Sequence, residues 1–287
     1  MAKDDSKAAA AARTRFHELA DEAQDFAPTT SEPLGSWADD QRGCPNVVLR
    51  SALFTAGKPT KVRKLFRERA LPAAIGTHAI AYTGAQLYQH ELDVWLEIVH
   101  RCRQQPAGVH TSFHVHGFLR TLRRSVGNKD HKQLHGTLDL LHATSIHVVL
   151  RRDERGRAVG YRGHLIEESR YNDATHQWEV GVHGEIAELF APTSHTWLHF
   201  DARLDLGKNY LAKWCHGYFS SHRKPFPISV QRLRELSGSD TARPRRFREA
   251  LRAALHQIQS VERTYRRHFK WRIDDDDLVH VIHERGN

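Results

Sequence analysis

Two histidines one residue apart, His114-Val115-His116, have the His-hydrophobe-His form that metal-dependent DNA-nicking enzymes use. On a strand the two imidazoles would share one face and hold a divalent cation, and Tyr210 or Tyr218 would attack a phosphate. Two features count against this chemistry. The chain holds 22 histidines, so the pattern arises readily by chance, and both tyrosines fall on an apolar helical stripe, where aromatic rings ordinarily pack a core. No His-x-x-x-His pair with a nearby cysteine or carboxylate forms a closed ligand set. The run Asp274 to Asp277 lacks the alternation and the glycine of a calcium loop and reads as a solvated turn. No Gly-x-x-x-x-Gly-Lys-Ser/Thr loop is present to cradle a nucleotide. Cys44, Cys102 and Cys215 are far apart and are expected as free, reduced thiols. The sequence therefore predicts no catalytic centre, no metal and no cofactor.

The chemistry that the sequence does favour is electrostatic. Net charge is +9, but residues 1 to 45 hold five Lys/Arg against nine Asp/Glu, so the remainder is more basic than the total suggests. Residues 243 to 272 alone hold ten Lys/Arg against two Asp/Glu. Such a concentration attracts polyanions unless it only solvates a helix face. The chain is long for one domain, and it divides into a mobile acidic, alanine-rich tail (1–44), an N-terminal unit (45–195) and a C-terminal unit (196–287). The opening MAKDDSKAAAAARTRF is no apolar signal core and no stretch is long and apolar enough to span a membrane, so a cytoplasmic location is expected.

The elements that must position the basic residues follow from periodicity. From Gln86 to Gln104, Leu87, Leu92, Trp95, Ile98, Val99 and Cys102 share one side of a helix whose other face is polar. Phe118, Leu119, Leu122 and Val126 mark a short second helix that Gly127 and Asn128 break. A third, capped by Asn128, turns Leu134, Leu138 and Leu141 inward and leaves Lys129, Lys132, Gln133 and Gly136 outside. Extended segments SIHVVL, AVGYRGHLIEE and HQWEVGV follow, separated by turns at 153–156 and 172–173. Near the C-terminus the order recurs. Leu206, Tyr210, Leu211, Trp214, Tyr218 and Phe219 form one stripe, and Val230, Leu233 and Leu236 a second. Phe247, Leu251, Ala254, Leu255 and Ile258 form a third, with Arg245, Arg248, Arg252, His256 and Gln259 opposite. TYRRHFKWRI then alternates, with Arg267 the exception, and LVHVIHE returns beyond the aspartate turn.

Three helices, the third basic on its exposed face, followed by a basic hairpin, have the layout of a winged helix. The predicted fold is α+β, two tandem winged-helix domains, each a three-helix unit with an antiparallel β wing. In that geometry the third helix enters a major groove, where Arg and Lys reach guanine and Gln reaches adenine, while the wing contacts phosphates. The DNA-binding residues expected are Lys129, Lys132, Gln133, Arg151 and Arg152 in the first unit, and Arg243, Arg245, Arg246, Arg248, Arg252, Arg266 and Lys270 in the second. Trp95 and Trp214 are expected as core anchors. The two units would read successive grooves about 10 base pairs apart. Basic helices opposite apolar stripes suit a duplex better than splayed RNA bases.

Four blocks resemble the TrfA family of plasmid replication initiators: PNVVLRSALF at 45–54, YTGAQL with ELDVW at 82–95, YFSSHRKPFPISV with LSGSD at 218–240, and DDDLVH at 275–280. The resemblance spans about residues 45 to 283, and SSHRKPFP is its most specific part. It implies a non-enzymatic protein that binds directly repeated sites (iterons) in double-stranded plasmid origin DNA. It also implies opening of adjacent AT-rich DNA, recruitment of the host replicative helicase and initiator machinery, and control through a monomer-dimer equilibrium. No Gln-Leu-Ser-Leu-Phe-like clamp-docking peptide is present. Residue patterns alone equally allow a winged-helix transcriptional repressor that recruits nothing.

Overall fold

The computed structural model describes residues 37–60, 62–72, 79–103, 110–152, 158–182, 186, 189–190 and 194–283, with the side chains of 79, 150–152 and 158–159 left aside. Residues ahead of Pro45, where the sequence placed the first folded residue, already belong to the fold. Trp37 and Cys44 are buried, and strand β1 (Gln41–Pro45) pairs antiparallel with β11 (His195–His199). A four-residue helix α1 (Asn46–Leu49) and a short parallel pair, β2 (Phe54–Thr55) with β5 (Leu87–Tyr88), lead to helix α2 (Gln89–Cys102).

Helix α2 is the axis of the first core. Leu92, Trp95, Leu96, Ile98 and Val99 are buried, as the apolar periodicity requires. Its polar side is buried too, which periodicity does not foretell. Asp93 and Glu97 are 3% and 2% exposed, and buried carboxylates persist only with partners. Glu97 takes Arg42 and Arg101, both at 2.7 Å. Asp93 takes Arg203 at 2.8 Å and Lys213 at 2.5 Å.

The chain then runs through β6 (His110–His114), α3 (Val115–Thr121), α4 (Asn128–Ala143), β7 (Ser145–Arg152), β8 (Ala158–His164), β9 (Glu168–Asn172) and β10 (Gln177–Gly181). Leu134, Leu138 and Leu141 of α4 are fully buried. Its N-cap is Gly127, and Asn128 is the first helical residue rather than the cap. Strands β6, β10 and β9 form one antiparallel sheet in that order. Strands β7 and β8 do not join it. They complete a separate sheet, β3-β4-β7-β8, with β3 (Leu65–Ala70) and β4 (Ala79–Ala85). The reason is the buried face of β7: Ile146 and Val148 lie opposite Tyr82 and Ile80 of β4, and all four are buried.

Beyond β11, helices α5 (Phe200–Asp205), α6 (Tyr210–Ser220), α7 (Val230–Leu236) and α8 (Pro244–Thr264) enclose strands β12 (Ile228–Ser229), β13 (Phe269–Ile273) and β14 (Leu278–His283). Polar side chains start three of these helices. His199 Nδ1 accepts from the Ala202 N–H, Asn209 from the Ala212 N–H and Ser229 from the Arg232 N–H, each at 3.1 Å. Proline at the first position of α8 fixes its entry. Residues 265 to 268 close α8 instead of opening a strand: Arg266 is left-handed at φ 57°, and the strand begins at Phe269. Arg267 breaks the alternation because it turns inward to Glu262 at 2.7 Å.

Two apolar cores result. The first draws on residues from Trp37 to Phe200, the second on Ala56 and residues from Leu206 to Val281. They meet at the Asp93, Arg203 and Lys213 cluster. Arg203 is fully buried and donates to Asp93, to the Gln89 side chain and backbone carbonyl, and to the Lys213 carbonyl. The three cysteines are free and buried, and burial pushes their thiols up. Among the described residues no helix is long and apolar enough to cross a membrane.

Candidate nucleic-acid interface

The same construction occurs twice. Helix, strand, helix, helix and hairpin follow one another as α2-β6-α3-α4-β9-β10 and as α6-β12-α7-α8-β13-β14. In each, the strand before the second helix pairs with the last strand, giving sheet orders β6-β10-β9 and β12-β14-β13. In the first, the β7-β8 hairpin is inserted between the third helix and the closing strands.

In the C-terminal copy, α8 turns Phe247, Leu251, Ala254, Leu255 and Ile258 fully inward. The opposite side is left to solvent. Arg243, Arg245, Arg246 and Arg252 are exposed, and Arg245 is held only loosely by Glu249 at 3.2 Å. Arg248, expected on the same open face, is half-buried and committed elsewhere. Its Nε lies 2.6 Å from Asp277 Oδ1, off line for a hydrogen bond, and its Nη2 approaches the Asp274 carbonyl at 3.5 Å. It ties the helix to the turn of the hairpin. Lys270 is exposed on β13, and Arg266 on the link before it.

That turn is braced internally as well. Asp274 accepts from the Leu278 N–H at 2.8 Å and contacts His280 at 2.7 Å; the His280 and Leu278 hydrogen bonds hold its carboxyl below the usual range. The inner end of α8 is anchored by Glu262, 3.0 Å from His216 and 2.7 Å from Arg267. Burial pushes this carboxyl up, but hydrogen bonds and charge from His216 and Arg267 outweigh it and hold the group at about 2.

In the N-terminal copy, Lys129, Lys132 and Gln133 are exposed on α4. The hairpin beside them is β9-β10, whose turn is closed by Asn172 accepting from Ala174 and Thr175 N–H groups. Arg151 and Arg152 are not in it. They end β7, in the other sheet, and their side chains lie outside what is described.

The His-hydrophobe-His pattern straddles a boundary rather than lying on a strand. His114 ends β6 and its Nδ1 accepts from the His116 N–H at 3.2 Å, so it caps α3, while Val115 is fully buried. Tyr218, 3% exposed, stacks on Trp214 at 4.9 Å, and burial pushes its hydroxyl up to about 12. Trp214 and Trp95 are core anchors, their indoles donating to the Ser51 and Leu165 carbonyls. Among the described residues no three His, Cys, Asp or Glu side chains are arranged to hold a metal.

A family model described as TrfA protein matches residues 9–283. The chain belongs to the TrfA family. A plasmid replication initiator protein TrfA from Escherichia coli is 27% identical over 258 residues, which cover 86% of this TrfA-family chain and 63% of that relative's length. Crystallised domains 2 and 3 of RctB share the fold, with TM-score 0.51 at 12% identity over 82% of this chain and 96% of theirs. A second RctB domain 2–3 structure gives 0.48 at 11% identity over 82% and 95%.

Several basic side chains of the TrfA-family chain escaped periodicity. Arg120 on α3, Arg263 at the end of α8, and Arg223 and Lys224 before β12 are all exposed. Position beside a helix or strand end, rather than an apolar stripe, was their only signal.

Proposed function

We propose that this chain is a plasmid replication initiator that binds double-stranded origin DNA through two winged-helix units, α2 to β10 and α6 to β14. The observation that carries the reading is the repeated helix-strand-helix-helix-hairpin order with the same sheet order in both copies, each with an exposed polar face on its third helix. This order suits a third helix seated in a major groove and a hairpin reaching the backbone beside it. In the second unit Arg245 and Arg252 contact base edges or flanking phosphates, with Arg243, Arg246, Arg266 and Lys270 on phosphates. Arg248 keeps the wing in place. In the first unit Lys129, Lys132 and Gln133 face the groove. The domain division follows the two cores, with α5 as the crossover.

Family membership and the Escherichia coli relative support the initiator reading over the repressor. By that kinship the DNA is a set of iterons, the protein acts as a monomer in balance with dimers, and it helps open the origin and recruits the host helicase machinery. The test is selection of bound duplexes from a random pool at near-physiological salt, where non-specific phosphate attraction is weak. The expected result is a motif of about two helical turns that recurs in tandem beside AT-rich DNA in the cognate plasmid. A lone palindrome turns the reading to a repressor, and no enriched motif contradicts both.

A further inference from the structure

A second basic segment lies far from α8 in sequence but next in space to the turn that leads into it. Residues 58 to 69 hold six Lys/Arg against the single acid Glu68. Lys58, Lys64, Arg67 and Arg69 are exposed, on β3 and the loop before it. Strand β3 is the edge of its four-stranded sheet. Its loop is fastened to the turn between α7 and α8: the Ala56 N–H donates to the Ser237 carbonyl at 2.9 Å, and Thr55 Oγ1 donates to the Gly238 carbonyl at 2.7 Å. Gly238, at φ 61°, permits this contact, since a Cβ there would meet Ala52 and Thr55 at 2.9 Å. Lys64 Nζ lies 3.1 Å from Asp240 Oδ1, three residues before Arg243.

We propose that Lys58 and Arg67, with Lys64 neutralising Asp240, form a phosphate-contacting strip that extends the DNA footprint of the C-terminal unit past the N-terminal end of α8. The inference rests on the proposed function. Its ground is continuity of charge: Lys64 reaches Asp240, and Gly57, next to Lys58, lies against the same side chain, three residues before Arg243, which is exposed with Arg245 and Arg246; like charges gathered on one surface repel unless a polyanion lies across them. Arg63 is excluded, because Glu91 and the Gln86 carbonyl hold it, each at 2.7 Å. Duplex phosphate fits better than an acidic protein because the strip prolongs the face assigned to DNA.

The test uses the full chain on the duplex motif selected by the wild-type protein. Lys58→Gln with Arg67→Gln is expected to keep the selected motif. It should flatten the dependence of log K on log salt by about 1.8, weaken binding roughly tenfold or more at physiological salt, and remove backbone protection at one end of the footprint. The exchange Lys58→Arg with Arg67→Lys should restore all three. An unchanged slope and footprint overturns the strip, as does an unchanged slope with an altered oligomeric mass, which would make β3 an interface between copies. A wild-type protein that enriches no motif defeats the proposed function itself, a result distinct from either.

Discussion

The two copies of the helix-strand-helix-helix-hairpin unit share topology and differ in charge. Helix α8 has five arginines against two glutamates, whereas α4 has two lysines against two aspartates and three histidines. Helix α8 also runs 21 residues to the 16 of α4. The hairpins differ likewise. The turn of β13-β14 is pinned by a side-chain ion pair to the third helix, α8, through Arg248 and Asp277, while that of β9-β10 is closed by Asn172 and by Tyr171 with His176, and is tied to the second helix, α3, through the Val115 N–H and the His176 carbonyl. The difference suggests a division of labour: the C-terminal unit supplies most of the salt-sensitive affinity, and the N-terminal unit adds selectivity at a smaller electrostatic cost.

Removing charge from the two third helices tests this division most strongly. Arg245→Ala with Arg252→Ala should lower DNA affinity by one to two orders of magnitude and reduce the salt slope by about 2. Lys129→Ala with Lys132→Ala should weaken binding several-fold less. Titrations of both doubles across salt check it; equal losses would abolish the asymmetry.

The next effect concerns stability of the C-terminal unit. Glu262→Gln should cost on the order of 3 kcal/mol, the equivalent of holding a carboxyl near 2 instead of its ordinary 4.5. The sign follows from linkage. A depressed carboxylate stabilises the fold fully above its unfolded value and loses that contribution as pH falls from about 4.5 towards 2. Urea melts over that range should show the wild type losing stability that the variant never had.

His100 tests the N-terminal side. Its Nδ1 accepts the Trp37 indole at 3.0 Å, and burial first, then Arg42 and Arg103, lower it to about 3. The neutral form is the folded form, so its contribution is present above about 6.5 and declines as pH drops towards 3. Trp37→Phe leaves the acceptor unpaired and should cost about 1 to 2 kcal/mol at neutral pH, read by chemical denaturation. The smallest effect is expected for Arg248→Ala: a few-fold loss of affinity with an almost unchanged salt slope, because Asp277 already neutralises this arginine. A slope reduced by a full unit would show that Arg248 contacts DNA.

Amphipathic helices were legible from sequence because one-sided burial writes a period into the chain. The stripes of α4 and α8 fell inward at the residues expected, and of the stripe assigned to α6 Leu206, Trp214, Tyr218 and Phe219 are buried while Tyr210 and Leu211 are half-buried. Order that depends on long-range partners left no period. Asp93 and Glu97 read as a solvent face, yet Arg203, Lys213, Arg42 and Arg101 come to them from outside α2 or a turn along it. The β7-β8 hairpin read as a wing because local alternation says which face is buried but not against which sheet. Arg248 lay on the correct helical face by angle, and only the fold brings Asp277 to it. The basic segment leading into β3 flanks no apolar stripe, and only the fold brings it to the turn before α8, through Thr55, Ala56 and Lys64.

The proposed mode of binding requires both units to lie on one DNA at once, and a hydroxyl-radical footprint of the full chain on its selected duplex shows whether they do. Two protected stretches on one face, about one helical turn apart, with the stronger protection over the C-terminal unit's half, is the predicted result. A single protected stretch, persisting when either half of the motif is scrambled, would contradict it.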